Sequence, residues 1–374
     1  MRVLFWTDWY LPSIGGVEVF SARLLPALAR RGHRITVVAG HHRTGLPDVT
    51  VVEGVTVRRY WFHQRLAAND LAGVVETVGR IARLKQELAP EVIHLNTLGP
   101  SVLFHLQSVA RWPAPVLLTL HSPLMRDVVG PDTLYGRALR SARWLNCNSH
   151  ALRDDVCRHV PDMEHRSSVV YYGMEPPALT PAPRPLGEPV VLGFGRLVPE
   201  KGFDLAIRAF GTIRDRVPRA RLVLAGEGPA RPELERLAEE RGLAGAVEFA
   251  GPRSPEQIPR LLNAASVVVV PSRWDEPFGL VALEAALMAR PVVAARAGGL
   301  VEVVEHGVTG LLVEKEDSAA LAEAVVTLLA DPAAADRMGA AARAGAIERF
   351  GWDRCVDEYE RLYERTRGSE DGHD

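Results

Sequence analysis

The chain is sparing with lysine, cysteine and long apolar runs, and each scarcity excludes something. Of 44 basic residues only Lys85, Lys201 and Lys315 are lysine, so a lysine marks a place where a compact point charge is wanted instead of a guanidinium fork. There are three cysteines, Cys147, Cys157 and Cys355. No pair has metal-ligand spacing and three cannot complete a disulfide framework, which points to a reducing compartment. No window has the length and apolarity of a membrane span. The opening MRVLFWTDWY has neither the apolar core nor the small-residue cleavage site of a secretory signal. The cytoplasm is therefore the expected location, with a peripheral place at the inner face of the membrane left open. A net charge of −2 and the want of any Lys/Arg run argue against a nucleic-acid partner. No D-x-D pair and no His/Cys cluster occurs, so neither a metal nor another cofactor is expected. The G-x-S-x-G elbow and the P-loop are missing too.

What is present is an alternation. In 374 residues, 47% hydrophobic and 24% charged, short apolar runs alternate with helical periodicity. The composition and length suit a globular chain of two domains. Strands are expected at Val3–Thr7, Ile35–Ala39, Val55–Tyr60, Val92–Leu95, Val116–Leu120, Trp144–Asn148 and Ser168–Tyr171, with helices such as Gly16–Arg30 and Leu71–Leu88 between them. The stretch EPPALTPAPRPLGEP, 175–189, is too rich in proline for helix or central strand and reads as a linker. The alternation then restarts, from Val190–Phe194 to Leu311–Val313, and the tail from Ala333 to Arg367 reads as helical. The expected fold class is α/β, two doubly wound Rossmann-like domains with parallel sheets. The boundaries are 1–175, a linker at 176–189, and 190–351, with a last helix at 352–374 packing back onto the first domain. Ligands are expected at the carboxyl ends of the strands, in the crevice between the domains.

Five segments carry candidate chemistry. In DEPFGLVALE, 275–284, Glu276 follows an apolar strand, while Glu284 lies on the apolar stripe of the next helix. A buried carboxylate needs an arginine, backbone donors or a ligand's hydroxyls; a structural ion pair is the plain alternative. Gly279 permits close backbone approach at that helix's N-terminus, so Phe278, Gly279 and Leu280 are candidate backbone contacts to an anion. In GFGRLVPEKGFDLAI, 193–207, Arg196 and Lys201 follow a strand and open a helix, which suits a bound anion. In PSIGGVE, 12–18, Gly15 and Gly16 leave backbone N–H groups open to a phosphate. In TLHSP, 119–123, His121 stands just past a strand. In AGEGP, 225–229, Glu227 either lines a cleft or merely turns the chain.

The ordered set G-G-V-E, G-R-L-x-x-x-K-G, G-E-G-P and E-P-F-G-L-x-x-x-E resembles the retaining glycosyltransferases of family 4, with the GT-B fold, over nearly the whole chain. That resemblance implies sugar transfer from a nucleoside diphosphate sugar, UDP- or GDP-linked, to a hydroxyl acceptor, with retained anomeric configuration and without metal. It implies that Glu276 meets the donor sugar's hydroxyls and His121 the sugar and transition state. Arg196, Lys201 and Gly16 would hold the diphosphate, Phe278–Leu280 the sugar or phosphate, and Glu284 the ribose diol. The segment Gly251–Arg253 would reach the base. The implied mechanism is front-side attack, with the leaving phosphate oxygen taking the acceptor's proton.

Alternatives remain at this level. A nucleotide-sugar epimerase can use the same architecture. A nicotinamide oxidoreductase would need a G-x-G-x-x-G that is lacking, and a non-catalytic sensor would not need the charged set. The acceptor, whether a small molecule, lipid-linked sugar or polysaccharide, is not legible. Tyr60-Trp61-Phe62 and Arg111-Trp112-Pro113 either touch lipid or pack within loops.

Overall fold

The computed structural model describes residues 1–13, 15–124 and 129–368. It divides into two compact units, Met1–Tyr172 with Asp353–Asp374, and Gly173–Trp352. The first contains strands β1 (Arg2–Thr7), β2 (Arg34–Gly40), β3 (Val49–Val52), β4 (Val55–Tyr60), β5 (Val92–Leu95), β6 (Val116–Leu120), β7 (Trp144–Cys147) and β8 (Ser167–Val169). They form one sheet in the order β3-β4-β2-β1-β5-β6-β7-β8. Only the β3–β4 pair is antiparallel among the pairings described. Helices α1 (Gly16–Arg30), α2 (Phe62–Ala67), α3 (Leu71–Leu88), α4 (Val102–Ser108), α5 (Leu134–Ser141) and α6 (His150–His159) connect the strands. Buried Leu4, Trp6, Val38, Ile93, Leu118 and Leu145 form the core on one face of the sheet. Continuous burial along β1, β2, β5 and β6 explains why these strands read as unbroken apolar runs.

The second unit has β9 (Val190–Phe194), β10 (Arg221–Ala225), β11 (Val247–Phe249), β12 (Val267–Val270), β13 (Val292–Ala295) and β14 (Gly310–Val313) in the order β11-β10-β9-β12-β13-β14. This is the doubly wound order, with its switch point between β9 and β12. Its helices are α7 (Phe203–Arg216), α8 (Arg231–Glu240), α9 (Ile258–Asn263), α10 (Leu280–Leu287), α11 (Leu300–Val303), α12 (Ser318–Ala330) and α13 (Pro332–Arg349). The proline-rich segment is pinned to this unit. Arg184 is buried and donates to Asp336 Oδ1 (2.6 Å) and the Pro332 carbonyl (2.7 Å), and Arg290 donates to the Ala182 carbonyl (2.6 Å).

The tail departs from the sequence expectation of one helical run. It breaks at Phe350–Gly351 into α13 and α14 (Trp352–Arg367), and residues 369–374 of the expected 352–374 helix lie outside the described residues. Within the first unit α14 buries Val356, Tyr359, Leu362 and Tyr363. It is fixed there by Tyr363 Oη to His94 Nδ1 (3.0 Å) and by Glu360 to His33 (2.9 Å). The two aromatic loops left open above are packed. Tyr60 and Phe62 are core residues, Trp61 stacks on His41, and Trp112 Nε1 donates to the Pro90 carbonyl. Among the described residues no single helix is long and apolar enough to cross a membrane.

Candidate active site

The second unit concentrates its candidate residues at the β9/β12 switch point. After β9 the chain makes a tight turn at Pro199–Lys201, and Gly202 (φ +66°) then starts α7. A Cβ on Gly202 would lie 2.1 Å from the Pro271 carbonyl oxygen, so only glycine lets this turn sit against the β12 loop. That contact delivers Lys201 to Glu276. Lys201 Nζ donates to Glu276 Oε1 at 2.6 Å, and Ser272 Oγ donates to the same oxygen at 2.5 Å. Glu276 is buried. Its second oxygen, Oε2, has no side-chain partner among the described residues. Lys201 also lies 5.8 Å from the Trp274 ring centroid. Arg273 clamps the frame, with both its terminal nitrogens on the Asp204 carboxylate (2.5 and 2.7 Å) and its backbone N–H on the Glu200 carbonyl.

Arg196 follows β9 directly. It is exposed, and no carboxylate pairs with it among the described residues. The G-E-G turn after β10 supports this segment. A Cβ on Gly226 would strike the Gly195 carbonyl oxygen, and one on Gly228 would come within 2.3 Å of that of Leu197. The two glycines of AGEGP thus exist for backbone packing. Glu227 itself is exposed and bound to Arg231 (2.7 Å), an ion pair between the turn and the first residue of α8. Gly251 (φ +70°) accepts from Gly226 N–H, while Arg253 is exposed and donates to the Pro252 carbonyl.

Gly279, at φ +116°, caps α10. The Phe278 ring is core and packs edge-on against Phe350, so what Phe278–Leu280 can offer a ligand is backbone. One turn into α10, Glu284 is partly exposed and has no side-chain partner among the described residues; loss of hydration lifts its carboxyl to about 7. A carboxylate held this way lacks the structural ion pair that was its plain alternative.

In the first unit Gly15 caps α1 and Gly16 is its first residue, exposed. His121 follows β6. Asn96 Nδ2 donates to Ser21 Oγ, which leaves Asn96 Oδ1 to accept from His121 Nε2–H (3.0 Å). His121 Nδ1 then accepts from the Tyr172 hydroxyl (2.6 Å). Both ring nitrogens are engaged, and burial pushes the imidazole down to about 3, so it is neutral and fixed in one tautomer.

Sequence reasoning missed Ser272, Asn96 and Tyr172, which orient the named residues. It also missed Gly298–Gly299, whose N–H at Gly299 donates to the Glu276 carbonyl (2.7 Å). A Cβ on Gly298 would come within 2.3 Å of that carbonyl oxygen. The paired glycines in RAGGL, after a strand, were the signal available.

Comparison with known proteins decides the family. The model "Glycosyltransferase Family 4" matches residues 14–176 and "Glycosyl transferases group 1" matches 180–345. A D-inositol 3-phosphate glycosyltransferase of Mycobacterium avium is 36% identical, over 94% of this chain and 89% of that one. The chain belongs to glycosyltransferase family 4. A second D-inositol 3-phosphate glycosyltransferase, from Acidothermus cellulolyticus, is 33% identical over 92% of this glycosyltransferase and 84% of its own length. Among solved structures, sucrose-phosphate synthase from Thermosynechococcus elongatus superposes with a TM-score of 0.81 at 24% identity, covering 97% of this chain and 98% of that one. Anabaena HepE in complex with UDP-glucose gives 0.75 at 23%, covering 98% and 100%. At such identities the likeness speaks for the fold, GT-B with two Rossmann-like domains.

Proposed function

We propose that this glycosyltransferase moves a hexose-type sugar from a UDP- or GDP-sugar to a hydroxyl acceptor, with retention and without a metal. The observation that carries the proposal is the Lys201–Glu276 contact at the β9/β12 switch point, with Arg196 and Glu284 of the same unit, whose side chains have no partner among the described residues. The names of the relatives support the donor class: a GDP-mannose-dependent mannosyltransferase of Mycolicibacterium smegmatis is 41% identical over 44% of this chain, and HepE binds UDP-glucose.

In this reading the second unit is the donor domain and the first holds the acceptor. Breaking a glycosyl phosphate leaves negative charge on the diphosphate; Arg196, Lys201 and the backbone N–H groups at Phe278–Leu280 offset it, with Gly16 also reaching the phosphates. Glu276 Oε2 accepts from sugar hydroxyls and Glu284 from the ribose diol. Gly251 and Arg253 border the base. His121, neutral with both nitrogens bound, would meet the sugar as a rigid van der Waals contact and not as an acid or base. The acceptor attacks on the face the diphosphate leaves, and its proton passes to the departing phosphate oxygen.

The test is a panel of UDP- and GDP-sugars read by melting shift, on wild type and Lys201→Ala, followed by NMR of the anomer first released during slow donor hydrolysis, with and without chelator. One donor should shift the wild type only, and the first-formed anomer should match the donor whether or not chelator is present. An inverted anomer, or an epimerised donor, would sink the mechanism.

A further inference from the structure

Strands β6 and β7 run parallel, and His121 lies at the carboxyl end of β6. At the other edge of the same sheet, where β7 begins, the first unit has a groove of about 430 Å³ lined by Arg143, Arg361, Glu364, Arg365, Arg367 and Gly368. Four arginines face one glutamate there, in a chain whose net charge is −2. Arg367 is engaged, its Nη1 3.6 Å from Glu91 Oε1. Arg143, Arg361 and Arg365 are exposed, and no carboxylate pairs with any of them among the described residues.

Only two of the four have a plain structural reason. Arg365 and Arg367 stand in the last turn of α14, where cations offset the helix dipole. Arg361 comes a turn earlier, at the i,i+4 spacing from Arg365 at which like charges destabilise a helix. Arg143 immediately precedes β7 and brings a further like charge from a separate segment. Two of these guanidiniums are also held. Arg365 lies over the Trp144 ring, 4.8 Å from its centroid, and that indole is fixed by its N–H to Ser168 Oγ (2.8 Å). Arg143 rests against the end of α14: Gly368 has φ +83°, and a Cβ there would come within 2.5 Å of Arg143 Nη2.

Unpaired like charges gathered in one concavity repel each other, and an anion that meets all of them offsets the repulsion. A carboxylate has two oxygens, enough for one guanidinium fork, whereas a phosphate group offers three or more to several forks at once. We propose that this groove binds a phosphate-bearing anion through Arg143, Arg361 and Arg365. The phosphate belongs either to a soluble phosphate compound or to an anionic lipid head group. The site does not depend on the donor reading, which assigns the diphosphate to Arg196 and Lys201 of the second unit.

The experiment uses the full chain carrying Arg196→Ala and Lys201→Ala, so that the candidate donor site does not answer for the groove. Pyrophosphate is titrated by calorimetry, and vesicles of phosphatidylglycerol are compared with phosphatidylcholine by flotation. Pyrophosphate should bind. Adding Arg361→Gln with Arg365→Gln should weaken it by about tenfold or more, and Arg143→Gln by about fivefold. Arg354→Gln, on the same helix but paired with Glu358, should leave it unchanged. Binding of phosphatidylglycerol vesicles in place of pyrophosphate, with the same arginine dependence, would support the site and name a lipid as the source. Binding of neither probe, binding undiminished by these substitutions, or equal loss in Arg354→Gln would overturn it. With Arg196 and Lys201 intact, the nucleotide melting shift should survive Arg361→Gln with Arg365→Gln, and its loss would overturn the groove as a site of its own. No nucleotide shift in any protein, with pyrophosphate binding that needs Arg361 and Arg365, would sink the donor reading and leave the groove standing.

Discussion

Glu284 is where one side chain carries most information. Its side chain has no partner among the described residues, and desolvation raises its carboxyl from 4.5 to about 7. An acid with a raised folded pKa makes the native state bind more protons than the unfolded chain between those values. Stability therefore falls as pH rises from about 4.5 to about 7, and the full cost of the charged form remains above that. A ribose diol donating two hydrogen bonds favours the carboxylate, so it pulls the pKa back down. Nucleoside diphosphate binding near pH 6 should consequently release more protons in wild type than in Glu284→Gln, measured by calorimetry in buffers of different ionisation enthalpy. The variant should also bind the nucleotide about tenfold or more weakly, since an amide can accept only through one oxygen. Equal proton release in the two proteins would remove Glu284 from the ribose site.

At the scale of elements, the proposed donor site depends on a loop and a helix being held together. Arg273 in the β12 loop grips Asp204 in the first turn of α7 by two parallel bonds, the arrangement in which an ion pair gains most. The residues it brings into register are Lys201, just before α7, and Glu276, three residues beyond Arg273. Arg273→Ala and Asp204→Asn should each raise the donor KM more than they lower stability. The pair should couple by about 1–2 kcal/mol in a double-mutant cycle; additive effects would mean that the clamp positions nothing. Such a clamp was invisible in the sequence, because 69 positions separate its partners. What was legible had local causes. The strands β4, β5 and β6 and the helices α1 and α3 fall on the expected boundaries, since apolar runs and 3.6-residue periodicity are written residue by residue. Strand β3 was missed, because its TVVEGV context is a two-residue hairpin turn on an exposed edge, with no buried run to announce it. The glycines of AGEGP were seen but their reason was not, because close approach to the Gly195–Leu197 backbone is a tertiary fact.

At the scale of the whole molecule, buried titrating groups are divided unequally between the two units. His94 and His121 are pushed down to about 3 and His105 also lies well below its ordinary value, all by burial first and all in the first unit. A histidine with a lowered folded pKa is protonated in the unfolded chain before it is in the native one. Each therefore gives a native stability that is lost as pH falls from about 6.5 toward 3, by about 1.4 kcal/mol per pH unit per proton. The same unit encloses Lys85, fully buried against the His105 carbonyl and the Trp6 ring and lowered to about 7 by desolvation. Its contribution has the same sign at higher pH: stability rises from about 7 to 10.5 as the unfolded chain alone keeps the proton. In the second unit Glu284 has the opposite slope between 4.5 and 7. Acidification from pH 7 to 5 should thus weaken the first unit by several kcal/mol, about 2 for each buried histidine, while leaving the second unit unharmed by these groups. Hydrogen exchange followed by mass spectrometry across that range should show protection lost first in β1, β5, β6 and α14 and retained in β9, β12 and α10. Lys85→Met should flatten the first unit's stability between pH 7 and 10. Because the acid limb comes from imidazoles with no carboxylate partner, added salt should do little to restore it. Simultaneous loss of protection in both units on acidification would show that something other than these buried histidines governs how the molecule comes apart.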